Sequence, residues 1–379
     1  MLYQNVERGI RMFESLAEDR ILRFKKTGRG QAIRFAQNIH DYIRRGELLQ
    51  LTAPLSVYWA VTDRCNLSCV HCYAAGHHAF HEMPIQECFK LIDNLARWGV
   101  FELILEGGEP FLREDIIPIL KHAKEKGFLL TVISNGTLLN EKKWEGLYKT
   151  LDWDVDTLQI SLDGSQVVCD HIRGQGTYEK VISNLELYAR QADDNVLINT
   201  VVSAGNYRDM ESMLIDLRER TAVRRVHFSP LMHVGNGSSL SSLSIDDGIV
   251  EMNRLKEGVG CDMELSGTFV PDHIVLQNQK IWECIKRKGV SLGCCAGRSK
   301  IYIAPNGEVY PCTFMREEKR SLGNVLVLSL EEIWGKSGEE NSSITACSAG
   351  KSLIESNSFI PYCAAQKDET QMEELAYGL

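Results

Sequence analysis

The sequence contains no long hydrophobic run and no excess of basic residues. No stretch of about 18 apolar residues occurs, so we expect no transmembrane helix. Residues 1–7 lack the basic and apolar regions of a secretory signal peptide. The 42 Lys and Arg residues are outnumbered by 51 Asp and Glu residues, and a net charge of −9 argues against nucleic-acid binding. We therefore predict a cytoplasmic protein that neither spans a membrane nor binds nucleic acid.

Cysteine, in contrast, is abundant, because the 379 residues include 12 cysteines. Disulfides are rare in the cytoplasm, so these thiols need another explanation, and ligation of a metal or cluster is the leading one. Hydrophobic residues make up 44% and charged residues 25%, as in a globular protein. The length suffices for one large domain or for two to three smaller ones.

Hydrophobic periodicity divides the chain into four regions. Residues 1–52 have apolar residues at helical spacing and predict an N-terminal helical segment. In residues 53–235, six predicted strands alternate with helices, which predicts an α/β fold with a parallel sheet, a partial (β/α)6 TIM-like barrel. For residues 236–290 we predict a helical connection. Residues 291–379 predict a C-terminal domain with a β-hairpin, because an Asn-Gly pair at 306–307 suits a tight turn.

Three cysteines follow the first predicted strand directly: Cys65, Cys69 and Cys72. Thiolates on one loop suit zinc or an iron–sulfur cluster. A structural zinc ion needs four ligands, and His71 is available, but it lies between two cysteines in a loop so tight that joint ligation is strained. A [4Fe–4S] cluster normally takes four cysteines, so three would leave one iron open to an external ligand. The spacing favours a cluster, with zinc as the alternative.

The Cys-x3-Cys-x2-Cys spacing after the first strand of a β/α barrel resembles the radical S-adenosylmethionine (SAM) superfamily. The resemblance implies that the three cysteines hold a [4Fe–4S] cluster, and that the amino and carboxylate groups of SAM bind its fourth iron. It also implies an enzyme that cleaves SAM reductively to methionine and a 5′-deoxyadenosyl radical, which takes a hydrogen atom from a substrate. His71 and Tyr73, on either side of the third cysteine, are then expected along the adenine.

Four later segments match this family in the expected order, at 106–110, 134–136, 161–164 and 171–174. The first contains a Gly-Gly-Glu sequence, in which glycines let the backbone approach a ligand and the glutamate accepts the methionine ammonium. The next two line the ribose and carboxylate, and the last provides an arginine for the carboxylate. Ordinary turn chemistry is the alternative. The full set of expected SAM contacts is His71, Tyr73, Gly107, Gly108, Glu109, Ser134, Asn135, Ser161, Asp163 and Arg173.

The C-terminal region contains a second group of cysteines. The segment from Cys294 through Gly307 to Cys312, with its continuation at 322–325, resembles the start of the auxiliary-cluster domain called SPASM, or its shorter form, twitch. A full SPASM domain adds more cysteines than this chain has there. The resemblance therefore implies one auxiliary [4Fe–4S] cluster. Its candidate ligands are Cys294, Cys295, Cys312, Cys347 and Cys363.

The resemblance further implies a net oxidation, in which the auxiliary cluster accepts an electron from the substrate radical or orients the substrate. Relatives act on peptides, proteins or small metabolites such as sugars and tetrapyrroles, and we favour a peptide or protein. A flavodoxin- or ferredoxin-type protein is the expected reductant. Two alternatives stay open. One is a redox-neutral epimerase, in which Cys169 or Cys261 donates a hydrogen atom from its weak S–H bond, and the other is a non-enzymatic zinc or iron–sulfur scaffold.

Overall fold

The computed structural model describes most of the barrel and part of the C-terminal region. The described residues are 53–77, 81–188, 195–259, 262–267, 296–297, 300–316 and 320–341. The predicted N-terminal helical segment, residues 1–52, lies outside them. So do five of the predicted site cysteines, namely Cys261, Cys294, Cys295, Cys347 and Cys363.

The described strands form one ten-stranded sheet in the order β10-β9-β8-β1-β2-β3-β4-β5-β6-β7. The strands are β1 (Ser56–Thr62), β2 (Glu102–Gly107), β3 (Leu129–Ser134), β4 (Thr157–Ser161), β5 (Val196–Val202), β6 (Arg225–Pro230), β7 (Glu264–Gly267), β8 (Lys300–Ile303), β9 (Glu308–Tyr310) and β10 (Gly323–Asn324). The α-helices of the described ranges are α1 (Ile85–Trp98), α2 (Ile116–Glu125), α3 (Glu141–Thr150), α4 (Gln166–Arg173), α5 (Thr177–Tyr188), α6 (Met210–Arg220), α7 (Ile245–Val259) and α8 (Leu330–Asn341).

The predicted α/β fold with a parallel sheet is confirmed. All six predicted strands are present as β1 to β6, and each pairs in parallel with the next. Two more parallel strands extend this sheet, because β7 pairs with β6 and β8 pairs with β1. The predicted hairpin is present as β8 and β9. The C-terminal region thus continues the barrel sheet instead of starting a separate one.

The two faces of the sheet differ in burial. In β5, Val196, Ile198 and Val202 are fully buried beneath the helices, whereas the alternating residues Leu197 and Asn199 are only half-buried. Alternate residues of a strand face opposite sides of a sheet, so the helix-covered face forms the core. The inner face is more open and carries polar side chains, as expected for the side of a barrel that receives ligands.

Helix α1 shows how the sequence pattern produces the core. Its residues Cys88, Leu91, Ile92 and Leu95 recur at helical spacing and are buried on one face. The helix ends at Trp98 and is capped by Gly99, whose φ of 93° is the left-handed conformation that glycine adopts without strain. Cys88 is therefore a core residue, as its position on the apolar face predicts. Within the described ranges, no helix combines the length and apolar composition needed to cross a membrane.

Candidate cluster and S-adenosylmethionine site

Residues 65–72, the cysteine loop, follow β1 at the C-terminal edge of the sheet. Two neighbouring segments hold the loop by backbone hydrogen bonds. Val70 donates its N–H to Ile172 O at 2.9 Å, at the end of α4. Asn236 donates its backbone N–H to Cys72 O at 3.0 Å and its side-chain Nδ2 to Cys69 O at 3.1 Å. Contacts within the protein therefore help to position the loop.

Asn236 is a site residue that the sequence analysis did not identify, because residues 233–243 look like an ordinary polar connection. The signal for it is the Gly-Asn-Gly sequence at 235–237. Gly235 has a φ of 58°, and a Cβ there would overlap the carbonyl of Cys72. Close packing of this turn on the cysteine loop thus requires glycine.

The three thiols lie in different environments. Cys65 is exposed, Cys72 is half-buried and Cys69 is buried. Burial raises the pKa of Cys69 to about 11, although the Arg173 guanidinium opposes that increase. Arg173 Nη1 lies 4.0 Å from Cys69 Sγ, and Asn135 Nδ2 lies 3.9 Å from Cys65 Sγ. Such N–H groups near sulfur stabilise the thiolate ligands of a cluster and tune the redox potential of the cluster.

The arrangement of these side chains suits a cluster better than a single ion. In the part of the chain that the structure describes, no three His, Cys, Asp or Glu side chains converge as ligands of one metal ion. His71, the candidate fourth zinc ligand, has its Nε2 atom 2.6 Å from Asp163 Oδ2, which leaves only Nδ1 for a metal. A [4Fe–4S] cluster binds each thiolate at a different iron, so its ligands need not meet at one point. The donor set therefore fits a cluster held by Cys65, Cys69 and Cys72.

Asp163, at the end of β4, is the centre of a buried charged group. Its side chain is fully buried, and its Oδ2 atom lies 2.6 Å from both His71 Nε2 and Arg173 Nε. The N–H bond at Arg173 Nε does not point at an acceptor, so the contact between Arg173 and Asp163 is an ion pair and not a hydrogen bond. Burial alone would raise the pKa of Asp163, but Arg173 and His71 outweigh it and hold the pKa well below its usual range. Asp163 also accepts the N–H of Val201 at 2.8 Å.

This group gives Arg173 a partner within the protein. The resemblance implies that Arg173 pairs with the methionine carboxylate, and the structure places its guanidinium between Asp163 and Cys69. The predicted residues His71, Asp163 and Arg173 are thus brought together beside the cysteine loop. Their individual contacts with SAM stay a prediction.

Glu109 joins the ends of β2 and β3. Its fully buried carboxylate accepts the N–H of Asn135 at 2.7 Å, the hydroxyl of Ser134 at 2.8 Å and the N–H of Phe111 at 3.1 Å. Burial raises its pKa, and these donors oppose the increase. The structure thus brings three predicted site residues, Glu109, Ser134 and Asn135, into direct contact. The predicted role of Glu109 as acceptor of an ammonium group is untested.

Gly107 and Gly108 have a specific local function. A Cβ at either position would overlap a backbone oxygen, that of Thr62 for Gly107 and that of Arg64 for Gly108. Gly108 N donates to Thr62 O, and Glu109 N donates to Arg64 O, each at 2.8 Å. The glycines therefore admit the backbone that leads into the cysteine loop. That they also admit a ligand stays a prediction. The close approach of the two backbone segments already explains why both residues are glycine.

The remaining predicted residues lie at different depths. Ser161 ends β4 and is half-buried beside Asn199 of β5. Tyr73 donates its hydroxyl to Glu106, a buried carboxyl group at the end of β2 whose pKa burial raises to about 7. Cys169 is fully buried in the core beneath the sheet, and burial raises the pKa of its thiol to about 12. Its role as hydrogen donor stays a prediction, to which this position lends no support.

Cys312 is the one auxiliary-cluster candidate among the described residues, and it is half-buried. A short 3₁₀ helix, Thr313–Arg316, follows it directly. The hydroxyl of Thr313 donates to Glu106 Oε1 at 3.1 Å, so this segment reaches the mouth of the barrel. Glu106 is a second site residue that the sequence analysis did not select, although it belongs to the Gly-Gly-Glu segment.

Two family descriptions match the chain. "Radical SAM superfamily" matches residues 59–217, and "Iron-sulfur cluster-binding domain", or SPASM, matches residues 294–364. An AdoMet-dependent heme synthase of Methanosarcina barkeri is 28% identical over 304 residues, which cover 74% of this chain and 82% of the relative. A mycofactocin maturase, MftC, of Mycolicibacterium smegmatis is 28% identical over 288 residues, which cover 73% and 68%.

A solved structure has a similar fold. Streptococcus suis SuiB bound to its precursor peptide SuiA superposes with a TM-score of 0.62 at 17% sequence identity, covering 79% of this chain and 68% of that one. The two family matches together span well over half of the chain, in the order and at the places where the two cysteine groups occur. The chain therefore belongs to the radical SAM superfamily, carries a SPASM domain, and uses SAM and [4Fe–4S] clusters as its cofactors.

Proposed function

We propose that this protein catalyses a net oxidation of its substrate, with SAM as the radical source and an auxiliary cluster as the electron acceptor. The observation that carries the proposal is the convergence of the ends of β2, β3 and β4 around the cysteine loop, with the Cys312 segment beside them. When bound, the cofactors supply a 5′-deoxyadenosyl radical that takes a hydrogen atom, and a cluster that takes the second electron.

The protein's own residues have three tasks in this proposal. Cys65, Cys69 and Cys72 hold the first cluster, and the N–H groups of Asn135 and Arg173 stabilise its thiolates. The carboxylate of Glu109 keeps the ends of β2 and β3 together. The group around Asp163 fixes the side chains that line the place for the cosubstrate. Cys312 contributes to one auxiliary cluster, with further ligands from outside the described residues. We infer a cytoplasmic enzyme with a flavodoxin- or ferredoxin-type reductant, because both clusters need a reducing compartment.

We favour a peptide or protein as the substrate. The maturase relative and the peptide complex of SuiB support this choice. A structural observation agrees with it, because two arginines that the structure describes at the C-terminal edge of the sheet are already paired, Arg173 with Asp163 and Arg316 with Asp63. A tetrapyrrole with several carboxylates requires cations to balance them, whereas a peptide backbone requires mainly hydrogen bonds. The heme synthase relative makes a tetrapyrrole the second candidate.

Anaerobic reconstitution with iron and sulfide tests the proposal. About eight irons per chain are expected for two clusters, and dithionite with SAM should then yield 5′-deoxyadenosine. A variant in which Cys65, Cys69 and Cys72 are all alanine is the matched control, and it should keep only the auxiliary iron. Zinc without iron, or well-loaded protein that never cleaves SAM, would contradict the proposal.

The substrate class requires a separate experiment. A short precursor peptide encoded beside the gene should increase the formation of 5′-deoxyadenosine. The peptide itself should lose about 2 Da, the mass of two hydrogen atoms, for each oxidation. Iron coproporphyrin III, added in place of the peptide, should have no such effect. Stimulation by the tetrapyrrole alone would support the second candidate.

A further inference from the structure

The 3₁₀ helix Thr313–Arg316 contacts the barrel mouth with all four of its side chains. Thr313 donates to Glu106, and the ring of Phe314 packs edge-on against Tyr73 with centroids 5.7 Å apart. Met315 is 1% exposed and packs with Val234. Arg316 forms an ion pair with Asp63, described below. A segment of four residues is therefore held at four points immediately after Cys312.

The contact between Arg316 and Asp63 is the most directional of the four. Arg316 Nη1 lies 2.6 Å from Asp63 Oδ1, and Nη2 lies 2.6 Å from Oδ2. The side chains are only 9% and 7% exposed, and Arg316 also donates to the hydroxyl of Tyr302 at 3.2 Å. Two parallel N–H···O bonds fix both the distance and the orientation of the partners. Although 253 residues separate them in sequence, this pair leaves the two segments little freedom.

Both partners lie close to predicted cluster ligands. Asp63 precedes Cys65 by two residues, and Tyr73 directly follows Cys72, so the 3₁₀ helix touches both flanks of the cysteine loop. Arg316 follows Cys312 by four residues. A buried ion pair is weak support for stability, since desolvation offsets much of the attraction. Its effect on geometry is greater, because it connects the backbone next to one cluster with the backbone next to the other.

We propose that Asp63 and Arg316 are positioning residues that fix Cys312 relative to the cysteine loop and thereby set the separation of the two clusters. The inference rests on the proposed function, because it takes Cys312 as a ligand of the auxiliary cluster. Electron transfer and the gap left for substrate both depend on that separation. A displacement of about 1 Å at such a site is sufficient to lower a rate by about a hundredfold.

The test uses the full chain with Asp63→Asn, which removes the charge, and Arg316→Lys, which retains the charge but loses the two-point contact. Hydrogen exchange of residues 313–316 is measured in the protein before cluster loading. It should speed up by about tenfold, as expected when a charged hydrogen bond is lost. After reconstitution and reduction with dithionite, the magnetic interaction between the two clusters is measured by EPR. The interaction should become weaker, or its EPR lines should become broader. SAM cleavage without substrate should change by less than about twofold.

Asp156→Asn is the matched control, because it breaks the ion pair between a buried aspartate and a half-buried lysine at the opposite edge of the sheet. Asp156 is fully buried and lies 2.7 Å from Lys124 Nζ. This variant should be less stable but should keep the normal interaction between clusters. A double variant, Asp63→Asn with Arg316→Met, removes both charges, so it should regain stability yet keep the altered interaction.

Three results would overturn the inference. They are unchanged exchange and unchanged cluster interaction in Asp63→Asn, the same altered interaction in Asp156→Asn, and a normal interaction in the double variant. Failure of the proposed function itself has a different signature, because no iron would bind and no SAM would be cleaved in the wild type. The exchange measurement still tests the ion pair in that case.

Discussion

The N-terminal and C-terminal edges of the parallel sheet each contain a fully buried aspartate paired with a cation. At the N-terminal edge, Asp156 binds Lys124 and accepts the backbone N–H groups of Leu130 and Asp152. At the C-terminal edge, Asp163 binds His71, which belongs to the cysteine loop, and Arg173, which lies beside Cys69. Asp156 holds the backbone together where β3 and β4 begin, and Asp163 holds side chains in place for a ligand. In a barrel, the same type of interaction therefore serves stability at one edge and chemistry at the other.

The largest effect that distinguishes the two edges is the loss of a cluster ligand. Cys65→Ala should abolish iron binding at the first cluster and all cleavage of SAM, because two thiolates do not retain the cluster. Iron analysis and chromatography for 5′-deoxyadenosine measure this. Cys88→Ala, which changes a core thiol beneath the sheet, should keep both properties. A Cys65→Ala protein that still cleaves SAM would show that the ligands have been misassigned.

The next effect compares the two buried aspartates directly. Asp163→Asn should lower the free energy of unfolding by about 3–5 kcal/mol, because it leaves the buried Arg173 without its partner, and Asp156→Asn should lower it by somewhat less, because Lys124 is only half-buried. Only Asp163→Asn should also weaken SAM binding, by about tenfold or more, since His71 and Arg173 lose their fixed positions. Denaturant unfolding and calorimetric titration with SAM provide the two values. Equal SAM affinities in the two variants would remove the functional distinction between the edges.

A third difference concerns pH. Burial raises the pKa of Glu106 at the C-terminal edge to about 7, whereas a free glutamate titrates near 4.3. The protonated carboxyl group therefore stabilises the fold at low pH, and this contribution is lost as the pH rises through about 7. Relative to Glu106→Gln, the wild type should lose up to about 3 kcal/mol of stability between about pH 5 and pH 8.

Denaturant unfolding of the cluster-free protein across this pH range tests the prediction. The same series on Glu102→Gln, a change on the same strand, separates the effect of Glu106 from that of removing any carboxyl group from β2. A stability difference between the wild type and Glu106→Gln that stays constant across the range would contradict the predicted shift.

The smallest effect is expected from the side chain of Asn236. Asn236→Ala removes one hydrogen bond to Cys69 O, so it should cost about 1 kcal/mol of stability. It should also accelerate the loss of the first cluster in air, which visible absorbance follows over time. Asn140→Ala, which removes the N-cap hydrogen bond of α3 to Lys143 N and no hydrogen bond to the cysteine loop, should cost a similar free energy. Equal rates of cluster loss in the two variants would show that Asn236 only stabilises the fold.

The features that could be predicted are those with a local signature. Six parallel strands follow from the alternation of apolar segments with helices, and Cys65, Cys69 and Cys72 follow from their spacing on one loop. The segments that end at Glu109, Ser134 and Asp163 were expected at one edge of the sheet, because parallel strands present their C-terminal ends together. The structure brings these residues close to one another, as that reasoning predicts.

The features that could not be predicted are long-range pairings. Asp63 and Arg316 belong to no periodic pattern, and nothing in either local sequence indicates the other. Asn236 lies in a polar connection whose only signal is a pair of glycines. Arg173 was expected to bind a ligand carboxylate, and the sequence could not show that Asp163 already compensates its charge. Each of these contacts arises from tertiary packing, which spacing along the chain does not record.

The pairing of β8 with β1 has a consequence for how the protein is made. During synthesis, β1 and the cysteine loop emerge well before β8, so one edge of β1 stays without its neighbour until Lys300–Ile303 has also left the ribosome. An unpaired strand edge is prone to associate with other chains, and contacts between distant segments form slowly. The segment that brings Cys312 therefore also completes the pairing of β1, the strand that leads into the cysteine loop, so that assembly of the two sites is coupled by the order of folding.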